Sequence, residues 1–161
     1  MQGFQHVVLV GLAGAAGTLL RYGCTSLATR LCGTGFPWGT LVVNLLGSLA
    51  FGAIVGLSRQ RGWMPSSVES ILLLGVLGGF TTYSSYAFQT VELVEGGRGM
   101  QAFAYVMATN LAAFAAVWAG LRLGGGAGAG AAGRSRRREQ RVVGRGARGP
   151  QDGGGQSALI H

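Results

Sequence analysis

Lysine is absent from the chain, and acidic residues number only five. None of the five precedes Glu69, so the first two-fifths of the sequence offers no carboxylate to bind a metal, to serve as general acid or base, or to carry a proton through a membrane. Charged residues make up 11% of the whole and hydrophobic ones 48%, a balance that argues against an ordinary soluble domain and for membrane residence. Cysteine is also scarce. Cys24 and Cys32 lack metal-ligand spacing and a neighbouring histidine, so they read as small packing residues. No phosphate-binding loop of the Gly-rich Lys-Ser/Thr form occurs, and no intramembrane Ser/His pair, metal cluster or carboxylate pair is evident, which argues against an enzyme.

The charge that is present is uneven. Seven of the thirteen arginines lie in the last 28 residues, so the net charge of +8 belongs largely to a tail. Beyond Leu123 the composition shifts to Gly, Ala and Arg without apolar periodicity, as in Gly124 to Gly133 and Arg134 to Arg148. Such a segment buries too little to offset its ordering entropy. The expected organisation is therefore a four-helix transmembrane domain over 1–123 and a disordered Gly/Arg-rich cytoplasmic tail over 124–161.

A helix crossing about 30 Å of hydrocarbon needs about 20 mostly apolar residues. Four stretches qualify, approximately 5 to 30, 38 to 58, 67 to 96 and 100 to 123. Their gaps carry turn chemistry: Gly33, Gly35 and Pro37 in the first, Arg59, Arg61, Gly62 and Pro65 in the second. The first stretch lacks a basic leader and a convincing cleavage site, so it reads as a retained helix and not a signal peptide. Ser66 followed by Glu69 has the spacing of a capping box and marks the start of the third helix, which makes Glu69 a cap. Glycines are dense inside the helices, including Gly14 and Gly17, Gly47 and Gly52, Gly75 and Gly79. Close packing of helices in lipid depends on such residues.

Polar groups inside hydrocarbon are costly and mark functional positions. Arg21 lies late in the first helix and either snorkels to the interface or faces the bundle. Asn44, inside the second helix, either donates to an anion or bonds a neighbouring helix. Tyr105 and Thr109 share a face of the fourth helix, beside Asn110. The stretch Gly78-Gly79-Phe80-Thr81-Thr82-Tyr83-Ser84-Ser85-Tyr86 interrupts the third span with poor helix formers. Non-helical backbone survives at that depth only where protein or a polar cavity satisfies it. A break there frees carbonyls for a cation, while nearby helix N-termini favour anions; a simple kink is the plainer alternative.

Taken together, residues 8 to 123 resemble the Fluc/CrcB fluoride channels. The likeness rests on Gly14 to Tyr22, on Gly39 to Ser48 and on Gly78 to Tyr86. It implies four transmembrane helices per subunit, a third helix broken at mid-membrane and an antiparallel dimer with two narrow pores. It also implies a structural sodium ion at the dimer centre, held by the backbone carbonyls of Gly78 and Thr81. The fluoride pathway would then include Asn44, Tyr83, Ser85, Tyr86, Tyr105 and Thr109, with Arg21 near a vestibule. Partners would be fluoride, the lipid bilayer and a second subunit, identical or paralogous, with no nucleic acid expected; the location would be the inner (plasma) membrane, multi-pass. The sequence departs from the family pattern Thr-Thr-Phe-Ser-Thr-Phe in having Tyr83 and Tyr86, and in having Gln89 where the family tends to place glutamate.

Two rival readings belong to other classes. A proton-coupled small multidrug exporter needs an intramembrane carboxylate, which the first two helices lack. A structural membrane subunit would use the Arg134 to Arg148 run against anionic lipid or nucleic acid. With four spans, Arg59, Arg61, Arg122 and the early tail arginines fall on one side and Arg30 and Arg98 on the other. The positive-inside rule then puts both termini in the cytoplasm, which favours one fixed orientation and an oppositely inserted paralogue as partner.

Overall fold

The computed structural model describes residues 2–61 and 64–146, with side chains over 3–59 and 64–126. Among the described residues the regular structure is entirely helical. Helix α1 runs Gln2–Cys32 and α2 Trp38–Arg61. The third span begins with α3, Ser66–Ser70, continues as a π-helical segment, Ile71–Leu77, and ends its first half with α4, Gly78–Phe80. Thr81 and Thr82 are extended, with φ/ψ of −81°/159° and −150°/116°. Helix resumes as α5, Tyr83–Glu95, and α6 runs Gly99–Gly146. Four segments are long and apolar enough to cross a membrane: Gly3–Cys32, Trp38–Arg59, Ser66–Glu95 and Gly99–Gly126.

Local chemistry sets the helix ends. Gly33, at φ 78°, takes the left-handed conformation that caps α1, its N–H donating to Thr29 O at 2.9 Å. Gly97, at φ 71°, does the same for α5, and the Arg98 N–H returns to Leu93 O at 2.8 Å in a Schellman arrangement. The capping box expected at Ser66 does not form. Pro65 is the capping residue, without a side-chain bond, and the Glu69 carboxylate instead accepts from Ser58 Oγ at 2.7 Å. A partner on α2 thus replaces the local amide and ties α2 to α3.

By backbone proximity the chain divides into Met1–Ala127 and Gly128–His161. The first unit contains the four spans. Within the tail expected from 124 onward the backbone is helical to Gly146, where alanine, arginine, glutamate and glutamine between 131 and 141 are strong helix formers. The rest of that expected tail, 147–161, lies outside the described residues, as do Gly62 and Trp63 of the second turn.

Glycine governs how closely the spans approach. A methyl group at Gly17 would overlap the Val76 carbonyl, one at Gly79 the Gly14 carbonyl, and one at Gly75 would lie 2.6 Å from Ala13 Cβ. Between α2 and α6, Gly52 meets the Val117 carbonyl and Gly120 the Leu49 carbonyl. Backbone-to-backbone contact of this kind supplies the dispersion attraction that holds helices together in lipid. A buried cluster of Tyr86, Leu93, Ala102 and Tyr105, backed by Phe36 and Leu41, packs α5 against α6 and the α1–α2 turn.

Candidate functional site

The interruption after Phe80 is held open by side chains. In a continuous helix the Thr82 N–H would donate to the Gly78 carbonyl and the Ser85 N–H to the Thr81 carbonyl. Here the Thr82 N–H donates to Asn44 Oδ1 at 2.8 Å, and Asn44 Nδ2 donates to the Thr82 carbonyl at 3.0 Å. The Ser85 N–H goes to Thr82 Oγ1 at 3.2 Å, so Thr82 is the N-cap of α5. The Thr82 hydroxyl in turn donates to Ser85 Oγ at 3.0 Å. Both carbonyls are thereby released from their helical donors. Arg21 Nη1 approaches the Thr81 carbonyl at 3.4 Å, so Arg21, half-buried, points at the interruption from α1.

Asn44, Thr82, Tyr83, Tyr86, Thr109 and Asn110 line one cavity of about 420 Å³. Among the described residues no charged side chain lines it, which leaves no proton-carrying carboxylate of the kind a multidrug exporter would use. Thr109 is buried, and its Oγ1 has no hydrogen-bond partner among the described residues. An unpaired hydroxyl at that depth costs about 1–3 kcal/mol. Thr109 lines the shared cavity, although its Oγ1 atom is itself closed off.

The aromatic residues divide by environment. Tyr83 is 78% exposed on the subunit surface, whereas Tyr86 is 7% exposed; their rings lie 5.5 Å apart. Tyr105 is fully buried, packed between Phe36, edge-on at 5.4 Å, and Tyr86, tilted at 5.3 Å. Its hydroxyl donates to Gln89 Oε1 at 3.1 Å. Tyr105 thus adjoins Tyr86 but is not among the residues lining the cavity, while Asn44, Tyr83, Tyr86 and Thr109 are brought together there. Ser85 is not among the lining residues either and is tied to Thr82, which is, by the 3.0 Å bond.

Two features had no role assigned from the sequence. Asn110 donates to Tyr86 Oη at 2.9 Å and to the Val106 carbonyl at 2.8 Å. Its amide deep in an apolar helix was the available signal. His6 Nε2 lies 3.1 Å from Ser70 Oγ, so a Ser/His pair does exist, contrary to the sequence reading. The Ser70 hydroxyl donates to the Ser67 carbonyl at 2.9 Å, which leaves the imidazole as donor to Ser70. A serine whose proton is committed to a carbonyl is a tether between α1 and α3, not a nucleophile.

Comparison with known proteins identifies a family. The family model described as "CrcB-like protein, Camphor Resistance (CrcB)" matches residues 8–121. A "Fluoride-specific ion channel FluC" of Agrobacterium fabrum is 45% identical over 122 residues, covering 74% of this chain and 95% of the relative. Proteins of the same name from Thermus thermophilus, 41% identical over 75% of this chain and 96% of the relative, and from Nitratidesulfovibrio vulgaris, 40% identical over 74% and 97%, match as well.

Proposed function

The chain belongs to the CrcB-like protein, Camphor Resistance (CrcB), family, and from that premise we propose that it is a fluoride channel subunit that lets fluoride leave the cytoplasm passively. It is a multi-pass membrane protein and not an enzyme. The observation that carries the fluoride reading is a cavity lined by Asn44, Tyr86 and Thr109 with no charged side chain among the described residues. Fluoride is small and strongly hydrated, so closely spaced neutral donors suit it: they replace water without the tight hold of a fixed cation. Export needs no energy source, because a membrane potential of about −100 mV favours loss of a monovalent anion by about 2.3 kcal/mol.

In this reading the pathway takes in Asn44, Tyr83, Ser85, Tyr86, Tyr105 and Thr109, with Arg21 attracting anions at its mouth. Two subunits pack antiparallel in the inner membrane, with the third span broken at mid-membrane. Sodium at their shared axis would be held by the carbonyls of Gly78 and Thr81. Hard cations take carbonyl oxygens, and both have lost their helical donors to Asn44 and Thr82; the Thr81 oxygen would exchange the Arg21 guanidinium, 3.4 Å away, for the ion. Bound there, sodium would neutralise oxygen dipoles and join the subunits. The arginine asymmetry favours termini in the cytoplasm and an oppositely inserted paralogue as partner.

The test is fluoride efflux from liposomes containing the purified protein, alone and with any such paralogue, loaded with fluoride or chloride. Fluoride release without chloride release supports the proposal. Absence of fluoride release from both preparations would overturn it.

A further inference from the structure

We infer that the phenolic O–H of Tyr86 is itself an anion donor in the cavity and that Asn110 is the residue that aims it. The inference deepens the channel reading above and rests on it. Proton accounting carries it. The Val106 carbonyl can only accept, so the Asn110 amide must turn its nitrogen toward it, at 2.8 Å. The same nitrogen lies 2.9 Å from Tyr86 Oη, and its second hydrogen is therefore donated to the phenol. Tyr86 Oη accepts that bond, and its own proton has no acceptor among the hydrogen bonds of the described residues.

Tyr86 is 7% exposed and Thr109, one residue before Asn110, likewise 7%. Both residues line the cavity, but the Thr109 oxygen is itself closed off, which leaves the Tyr86 phenol as the hydroxyl with an uncommitted proton to offer there. The contrast with Tyr105 is chemical: that phenol spends its proton on Gln89. A hydroxyl hydrogen carries far more positive charge than the edge of an aromatic ring, and a donor bond from Asn110 increases it further by polarising the oxygen. The Tyr86 hydroxyl is thus a donor suited to a small anion of high charge density. A larger halide spreads its charge and gains less from the same proton.

Efflux from liposomes and near-ultraviolet absorption test this together. Tyr86→Phe keeps the ring and its packing, and it should slow fluoride efflux about tenfold or more, the worth of one hydrogen bond to a charged group. Asn110→Leu should slow it less, and should have no added effect in the Tyr86→Phe background, because Asn110 acts only through that hydroxyl. Fluoride, not chloride, should shift the tyrosine absorption of the wild type, and the shift should vanish in Tyr86→Phe. Unchanged or faster fluoride efflux by Tyr86→Phe would overturn the inference, as would an independent loss from Asn110→Leu. If the wild type carries no fluoride yet shows the fluoride-dependent shift, conduction falls and the site stands. If it shows neither, both fall.

Discussion

Asn44 and Thr82 exchange two hydrogen bonds, the Thr82 N–H to Asn44 Oδ1 at 2.8 Å and Asn44 Nδ2 to the Thr82 carbonyl at 3.0 Å. One side chain on α2 thereby imitates a neighbouring strand for a single residue of the third span. Asn44→Ala would orphan both backbone groups, at about 1–3 kcal/mol for each. A marked drop in the thermal midpoint of the detergent-purified protein is the expected result. Asn44→Asp should lower it too, by setting a carboxylate against the Thr82 carbonyl, and should suppress fluoride efflux by placing negative charge on the anion path.

Thr109→Val separates function from stability. The unpaired hydroxyl is a cost to the fold, so its loss should raise the unfolding midpoint, by about 1–3 kcal/mol of stability. Fluoride efflux should fall. A variant that is less stable and equally active would show that Thr109 serves the fold.

Gly17 and Gly11 lie on one helix and make opposite predictions. A methyl at Gly17 would strike the Val76 carbonyl, whereas one at Gly11 meets nothing within 4 Å. Gly17→Ala should cost about 1–3 kcal/mol through overpacking, seen as lost folded protein by size-exclusion chromatography. Gly11→Ala should elute like the wild type.

How much of this was legible beforehand depended on the range of each interaction. The spans were readable because about twenty apolar residues are a local signal, and the interruption because paired glycine and threonine are a local departure from helix chemistry. Asn44 stood out as an amide in hydrocarbon, yet its two bonds to Thr82 join residues 38 apart in sequence, and nothing nearby in the chain distinguishes a brace from an anion donor. Glu69 shows the opposite failure. Its local spacing fitted a cap, but Ser58 on α2 offered a better donor, and tertiary contact won over the local motif.

Orientation is measurable directly. A cysteine placed in the tail, with Cys24 and Cys32 replaced by alanine, should react only with a membrane-permeant reagent in intact cells. Comparable labelling by an impermeant reagent would indicate chains inserted in both directions, and a self-sufficient homodimer in place of a fixed pair.

The π-helical segment Ile71–Leu77 gives the third span a place where a deletion is absorbed. A π turn takes up one residue more than an α turn, so loss of one residue there leaves α-helix in its place. The helix beyond would keep its phase, with Thr82 still opposite Asn44 and Tyr86 opposite Asn110. The same deletion from the α-helical run between Tyr83 and Glu95 would rotate everything after it by about 100° about the span axis and shift it by about 1.5 Å. The span can thus shorten by one residue across 71–77 without rephasing the site, but not within the helix that carries Tyr86.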